Sequence, residues 1–483
     1  MNPPLRVAAL LACSLVGWNG SLAAAPEIPS SQQEYWAQFD RRDWTAAITA
    51  AEKLVAAARE DAAREPLRLA KTLSLLGDAQ FGAGDYVSAE ASYKESLQLL
   101  EQHGAPMSAD LLAPLRGLGY SFAISGRHAE AIPLLDRALL VGRRNFGLFD
   151  IGQQGILRQL ASSLTRVGRA ADAERHMDYL LRVGERTYGR DDPQLAPILC
   201  EIGAWYAETG EFIAARERYR QALDLVEKAL GRSSMAAVEP LRGLARTYTQ
   251  ELFYSTLRVR TDREPALGLA QREGVSTLSS RALRSPADAD GSSNDREPID
   301  PRRLSPDGEK ALERALKVIE SKPDAPRDAY VETLVQMGDW RQIKQQTDRA
   351  MSLYRRAAAL VQIEGSTHTS EQPGRGPESL LSSPVRVYYL TPWLAARNLT
   401  LPVELVDETF VEVEFTVTKD GRVSGARVVE ANGTTRQAAE ALEAIRGSRF
   451  RPRFVAGEPV DTPNVVNREV FRRRKQASDD STL

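Results

Sequence analysis

Apolar side chains recur along most of this chain at the three- and four-residue spacing of an amphipathic α-helix. The clearest example covers residues 199–222, where one apolar face ends at Thr209-Gly210 and a second face begins after it. Because glycine interrupts the helical pattern there, the stretch predicts two short helices packed back to back. The two faces consist of Leu199, Ile202, Gly203 and Tyr206, and of Ala215, Tyr219 and Ala222.

The same pair of faces returns at intervals of 42 residues on both sides of this stretch. At one fixed phase the residue is always small, which is the size required where two helices approach closely. The residues at that phase are Gly77, Gly119, Ala161, Gly203 and Ala245. The same position recurs once more at Gly338, which lies one 42-residue repeat and 51 inserted residues beyond Ala245. The spacing therefore predicts seven helix pairs, with an insertion between the two helices of the sixth pair.

This motif, Leu-x-x-Leu-Gly-x-x-Tyr followed by Ala-x-x-x-Tyr-x-x-Ala, resembles the tetratricopeptide repeat in the longer form seen in kinesin light chains. The resemblance implies an α-solenoid in which each helix pair buries its apolar face only against its neighbours. It also implies that the first helix of each pair lines a concave, peptide-binding surface.

The hydrophobic period changes from helical to alternating in the last part of the chain. The alternating apolar residues are Val411, Val413, Phe415 and Val417, which predict a half-buried strand. Residues 419–422 predict a hairpin turn, and residues 423–430 predict the returning strand. Thr434 and Gln437 have the spacing of a capping box at the start of a helix, and residues 465–471 predict the last strand.

This order of elements resembles the C-terminal domain of TonB-family proteins over residues 384–474. An aromatic-x-Pro motif at 450–452 and a Gly-x-Pro-Val motif at 457–460 belong to the same resemblance. Thr391-Pro392 stands where TonB has Tyr-Pro, so the receptor contact of TonB is not carried over to these positions. The predicted fold is mainly α, an α-solenoid of tetratricopeptide repeats followed by a small α+β domain of the TonB C-terminal type.

The N-terminal residues have the pattern of a secretory signal. Arg6 precedes an apolar run at 7–17, and Ala23 and Ala25 are small residues at the positions that a signal peptidase reads. A cleaved signal predicts a periplasmic protein without a membrane span in the mature chain. The alternatives are a lipoprotein signal, in which Cys13 carries the lipid, and a retained anchor.

Amino-acid composition predicts the boundaries of the remaining segments. The residues around 255–306 are rich in Ser, Asp, Arg and Pro, which predicts disorder, and paired Pro and Gly residues predict a linker before the C-terminal domain. The predicted segments are a signal at 1–25, repeats at 26–254 and 307–364, a disordered insertion at 255–306, a linker at 365–383, the TonB-like domain at 384–474 and a tail at 475–483.

Charge and reactive residues argue for binding rather than catalysis. The formal net charge is −2, so overall charge gives no reason to expect a nucleic-acid partner. Two cysteines are too few for a disulfide framework or a cysteine-rich metal cluster, and the four histidines have no ligand spacing. No nucleophile, nucleotide-binding or metalloprotease motif is present in the sequence. We therefore predict no metal, no cofactor and no enzymatic activity.

The repeat resemblance points to a first binding surface. In tetratricopeptide arrays the residues one and five places after the first leucine of a repeat face the groove, and in three repeats of this chain they include arginine or tyrosine. The predicted groove residues are Arg116, Tyr120, Arg158, Arg242 and Arg246. Guanidinium groups at repeat spacing suit an extended acidic segment, although a solvated charged face has the same composition.

The TonB resemblance points to a second binding surface, the edge of the C-terminal sheet. An exposed edge strand accepts an added strand through backbone hydrogen bonds. The predicted edge consists of Val465, Val466, Asn467, Arg468, Glu469, Val470 and Phe471. A basic cluster is predicted beside it, with a solvated surface as the alternative, and its members are Arg446, Arg449, Arg451 and Arg453.

Together these patterns predict a periplasmic scaffold that binds protein or peptide partners. The TonB resemblance implies a role in outer-membrane transport or envelope assembly, with outer-membrane receptors or envelope components as partners. The first alternative is a membrane-anchored energy transducer for such receptors. The second is an enzyme that uses the insertion as a lid.

Overall fold

A computed structural model of the chain describes residues 30–261, 304–362, 380–388 and 406–474. The chain divides into two compact units, at residues 1–190 and 191–483. The predicted signal and tail, and most of the predicted insertion and linker, lie outside the described residues.

The N-terminal unit consists of helical hairpins, each packed on the next. Its helices are α1 (Ser30–Asp40), α2 (Trp44–Glu60), α3 (Pro66–Ala83), α4 (Tyr86–His103), α5 (Leu112–Ile124), α6 (His128–Phe146), α7 (Gln154–Arg166) and α8 (Ala170–Tyr188). The first hairpin lacks the leucine and glycine spacing of the others. Its packing comes instead from an aromatic group formed by Tyr35, Trp36, Phe39 and Trp44.

In several repeats a tyrosine ring lies directly against the small residue. A Cβ atom on Gly77 would lie 2.7 Å from the ring of Tyr93, and one on Gly117 would lie 2.2 Å from the same ring. Gly77 belongs to the hairpin of Tyr93, and Gly117 belongs to the next one. Tyr93 therefore fills the space between two hairpins, which explains why their spacing tolerates no larger residue.

The C-terminal unit begins with three further hairpins. Their helices are α9 (Ala196–Glu208), α10 (Phe212–Leu230), α11 (Val238–Thr261), α12 (Pro306–Glu320), α13 (Arg327–Ile343) and α14 (Thr347–Gln362). Helix α11 packs against α12, so the residues between 262 and 305 join the two helices of one hairpin. Tyr219 and Tyr354 contact Gly203 and Gly338 as Tyr93 contacts Gly77.

The chain ends in a sheet with a helix on one face. Its elements are β1 (Val385–Tyr388), β2 (Val406–Val417), β3 (Val423–Ala431), α15 (Thr435–Gly447), β4 (Arg449–Arg451), β5 (Arg453–Val455), β6 (Glu458–Val460) and β7 (Thr462–Arg474). The main sheet has the antiparallel order β3-β2-β7, and β1-β4 and β5-β6 form two ribbons. Its core consists of Val411, Val413, Phe415, Val417, Ala441, Ala444, Ile445, Phe450 and Phe471. The predicted fold class, an α-solenoid followed by a small α+β domain, is confirmed.

Sequence motifs of this domain that span several residues predict its local structure correctly. Thr434 and Gln437 form the predicted capping box, and Gly421 takes a φ of 74° in the predicted hairpin turn. Strands β1, β4, β5 and β6 have only three or four residues, which is too short for an alternating pattern to be recognised. These four strands were therefore not predicted.

The C-terminal domain is docked on the last hairpin of the solenoid. Gln342 on α13 is fully buried, and its amide donates hydrogen bonds to the carbonyl oxygens of Asp420 at 2.8 Å and Phe450 at 3.2 Å. The ring of Phe454 meets that of Tyr354 edge-on, with centroids 6.1 Å apart. The domain and the last hairpin thus share a polar and aromatic interface.

Candidate functional site

The first candidate surface is the β7 edge, which we define as residues 465–471. In the described part of the chain, β7 pairs with β2 alone and stands at one end of the main sheet. Its side chains alternate between the two faces. Those on the α15 side, opposite the core residues of β2, are Val465, Asn467, Glu469 and Phe471, and those on the other face are Val466, Arg468 and Val470.

A buried ion pair anchors β7 from its core side. Glu469 is 1% exposed and pairs with Arg386 on β1, and it accepts a hydrogen bond from Asn467 at 2.6 Å. Arg386 also donates to the hydroxyl of Ser448 at 2.9 Å. Because a buried charge is stable only when paired and hydrogen-bonded, this network fixes the position of the strand.

The opposite face of the sheet carries charged side chains that form ion pairs with one another. The guanidinium of Arg468 lies 3.5 Å from the ring centroid of Phe410 and 3.4 Å from the carboxylate of Glu412. Glu414 pairs in the same way with Arg427 at 3.0 Å. Val466 is 54% exposed on this face. This face of the β7 edge therefore carries paired charges and one exposed apolar side chain rather than a concentrated charge.

The second candidate surface is a group of side chains in the N-terminal unit, which we call the Tyr120 cluster: Asp78, Tyr93, Arg116, Tyr120 and Arg158. Burial raises the pKa of Tyr120, while the guanidiniums of Arg116 and Arg158 act in the opposite direction. Both cations thus act on one hydroxyl.

The Tyr120 cluster contains one acid, Asp78, which interacts with Arg116. Burial raises the pKa of Asp78, opposed by Arg116 and by a hydrogen bond of 2.6 Å from the hydroxyl of Tyr93. Asp78 and Tyr93 were not among the predicted site residues. The signal for them was a Gly-Asp pair followed fifteen residues later by tyrosine, which recurs at Asp339 and Tyr354.

The other two predicted groove arginines belong to the C-terminal unit. Arg242 is 7% exposed, and its guanidinium pairs with Glu332 at 2.7 Å and Glu239 at 3.4 Å. Gln336 on α13 donates to the backbone oxygen of Arg242 at 2.9 Å. Arg242 therefore joins α11 to α13 inside the solenoid. Arg246 is partly exposed on α11.

The four arginines predicted as a basic cluster do not share one exposed surface. Arg451 is 6% exposed and pairs with Asp339 at the interface with α13. Arg446 is exposed at the end of α15, 3.4 Å from the carbonyl oxygen of Ala426. Arg449 and Arg453 are partly buried on β4 and β5. Their short spacing suggests a shared surface, whereas Arg451, the last residue of β4, is buried against α13.

Reactive groups in the described residues form no constellation. No three His, Cys, Asp or Glu side chains there converge on a possible metal position. Cys200 is buried, and burial lowers the pKa of His128 and of His176. Among these same residues, no helix combines the length and apolar character needed to span a bilayer.

Two family models match parts of the chain. One is the tetratricopeptide repeat, matched over residues 153–228, and the other is the Gram-negative bacterial TonB protein C-terminal domain, matched over residues 408–468. Both resemblances inferred from the sequence are confirmed. Both are scaffold-type domains without catalytic function, so the chain combines protein-interaction repeats with a TonB-type domain. No curated protein matches the chain in sequence.

Several solved structures are similar to parts of this chain. BtubC (BKLC) from P. vanneervenii is 20% identical, with a TM-score of 0.36, over 48% of this chain and 96% of that one. A kinesin light chain from Podosopora anserina is 15% identical, with a TM-score of 0.38, over 42% and 95%. The C-terminal part of a TPR repeat-containing protein from Cytophaga hutchinsonii is 12% identical, with a TM-score of 0.34, over 70% and 96%.

Proposed function

We propose that this protein is a periplasmic scaffold that holds an extended segment of a partner protein as an added strand on the β7 edge. The observation that carries the proposal is the pairing of β7 with β2 on one side only, among the described residues. The backbone groups on the outer side of such a strand can bind an extended peptide of varied sequence. The partner class that fits a TonB-type domain is an outer-membrane receptor or another envelope component.

Two features of the β7 edge favour strand addition. The ion pair between Glu469 and Arg386 orders the strand before a partner arrives, so less conformational entropy is lost on binding. The exposed side chain of Val466 offers an apolar contact to alternate residues of an added strand. A scaffold of this kind requires no reacting group, in agreement with the scaffold-type families that match the chain.

The experiment uses the full chain and synthetic peptides from the N-terminal segments of outer-membrane receptors. Amide hydrogen exchange is measured with and without each peptide. A peptide that adds as a strand slows exchange in β7, and Val466→Pro weakens its binding because proline removes a backbone donor and restricts the strand. Val466→Thr is the matched control, since it keeps the backbone donor and the β-branched shape.

Two outcomes contradict the proposal. One is peptide binding that protects amides elsewhere and leaves exchange in β7 unchanged. The other is equal affinity for Val466→Pro and Val466→Thr while exchange in β2 shows an intact sheet in both.

The Tyr120 cluster supports a second candidate function, the binding of acidic segments by the repeats. Arg116 and Arg158 both act on the hydroxyl of Tyr120, and Arg116 also acts on the carboxyl of Asp78. Guanidiniums in this arrangement can pair with carboxylates of an extended peptide. The transducer alternative depends on whether the N-terminal apolar run is retained, which sequencing of the mature N-terminus decides.

A further inference from the structure

One turn between repeats differs from its equivalents in the side chains it exposes. After α6, α8 and α10 the chain turns at a glycine with nearly the same backbone angles: φ 99° and ψ 163° at Gly147, 100° and 157° at Gly189, and 84° and 162° at Gly231. The next two residues are Arg190-Asp191 and Arg232-Ser233 in two cases but Leu148-Phe149 in the first. Because polar residues form the same turn, its backbone does not require apolar side chains.

These apolar side chains are exposed to solvent. Leu148 is 59% exposed, Phe149 42% and Phe146, the last residue of α6, 51%. Leu140, also on α6, is 57% exposed. Exposed apolar residues that gather in one place, where the fold does not require them, mark an interaction surface. We call residues 146–149 the Leu148 turn.

Arginines surround the Leu148 turn. The guanidinium of Arg186 lies 5.5 Å from the ring centroid of Phe149. The guanidiniums of Arg143 and Arg182 lie 4.3 and 5.7 Å from the ring centroid of Tyr179, whose hydroxyl donates to the carbonyl oxygen of Leu148. Arg144 is exposed at the end of α6.

The acids in the same segments are fewer than these cations. Asp150 follows the turn, and Asp178 precedes Tyr179 on α8. Glu185, on the same helix, is 3.4 Å from Arg190. The surroundings of the Leu148 turn are therefore locally cationic, although the whole chain has a net charge of −2.

We propose that the Leu148 turn is a docking surface for a bilayer that contains anionic phospholipid. Leucine and phenylalanine side chains on a turn can enter the interfacial region of a bilayer without a complementary pocket. Arginine can place its stem beside them while its guanidinium reaches the phosphate oxygens. A protein partner would instead need a shaped recess for the two protruding side chains, so the bilayer is the better match.

The test is flotation of the full chain with vesicles of phosphatidylcholine, alone or with about 30% phosphatidylglycerol, a content that gives the surface a negative potential. The key variant is Leu148→Arg with Phe149→Ser, which copies the residues after Gly231 and so suits the same backbone. It adds a positive charge, so binding by charge alone would increase. If the apolar side chains insert into the bilayer, their removal must weaken binding to the vesicles. We expect the affinity for anionic vesicles to fall about tenfold.

A second variant, Arg144→Gln with Arg182→Gln, tests the cations. It is expected to lower binding to anionic vesicles while leaving circular dichroism and the melting temperature unchanged. The N-terminal apolar segment is the same in every variant, so it cannot cause a difference between them.

The proposal is overturned if wild-type chain fails to bind anionic vesicles. It is also overturned if the Leu148→Arg, Phe149→Ser variant binds as well as wild type or better. Capture of a soluble protein by wild type without vesicle binding would assign the turn to a protein partner instead.

Discussion

Arg451 on β4 forms a bidentate ion pair with Asp339 on α13, with the two nitrogen–oxygen distances both 3.2 Å. The hydroxyl of Tyr354 donates to the same carboxylate at 2.8 Å. Burial raises the pKa of Asp339, and Arg451 and Tyr354 oppose that rise. This contact ties the C-terminal domain to the last hairpin of the solenoid.

The same arrangement occurs inside the N-terminal unit. Asp78 accepts a hydrogen bond from Tyr93, and its compensating cation is Arg116, which belongs to the next hairpin. Among the described residues the last hairpin, α13 with α14, is followed by the C-terminal domain, and Arg451 of that domain supplies the cation instead. Repeat arrays need a covering element at each end, and the TonB-type domain covers this end.

Arg451→Met is expected to destabilise the C-terminal unit. The substitution removes the cation of a buried pair and leaves the carboxylate of Asp339 with only the hydrogen bond from Tyr354, which costs about 3–5 kcal/mol. Urea unfolding, with hydrogen exchange in α13 and β4, measures the effect. Arg436→Met is the control, because Arg436 makes a solvent-exposed pair with Glu440 and its loss should change stability by less than about 0.5 kcal/mol. Equal stability of the two variants would show that the ion pair does not hold the domain.

Ala131→Leu is expected to overpack the α5–α6 hairpin. Ala131 is fully buried, and a Cβ atom on Gly119 would lie 3.6 Å from its backbone oxygen, so the two helices already approach closely. Extra methylenes in such a place cost about 1–3 kcal/mol. Ala129→Leu makes the same chemical change at an exposed position of α6. If thermal unfolding does not separate the two variants, the assignment of the repeat phase is wrong.

Arg158→Gln is expected to weaken the binding of acidic segments to the Tyr120 cluster. Hydrogen bonds to charged groups contribute about 1.5–3 kcal/mol, so the affinity for a decameric poly-glutamate peptide should fall by at least about tenfold. Fluorescence anisotropy of the labelled peptide measures this change. Arg175→Gln serves as the control because Arg175 is largely exposed on α8 beside Asp172. An equal loss of peptide affinity in both variants would indicate attraction to the overall charge. Unchanged affinity in Arg158→Gln would exclude the Tyr120 cluster as the binding site.

Sequence spacing predicts the repeat positions of the groove arginines but not the partners that surround each of them. Arg116 and Arg158 both act on Tyr120, because the first helices of neighbouring hairpins keep a constant phase. Arg242 has the same repeat position, but Glu332 and Gln336 of the last hairpin enclose it. The spacing could not reveal this difference, because the two partners follow an insertion that has no repeat.

The sequence by itself determined the elements and their order, because helix and strand periods are local and each hairpin packs mainly on its neighbours. It therefore located the helix pairs, the close approaches at Gly77 and Gly338, and the strand–turn–strand–helix unit. Tertiary structure decided which charges are buried. Asp339 and Arg451 are 112 residues apart, and only the docking of one domain on another shows that they compensate each other. It also decided which apolar residues remain exposed, since the exposure of Leu148 depends on what packs around the turn.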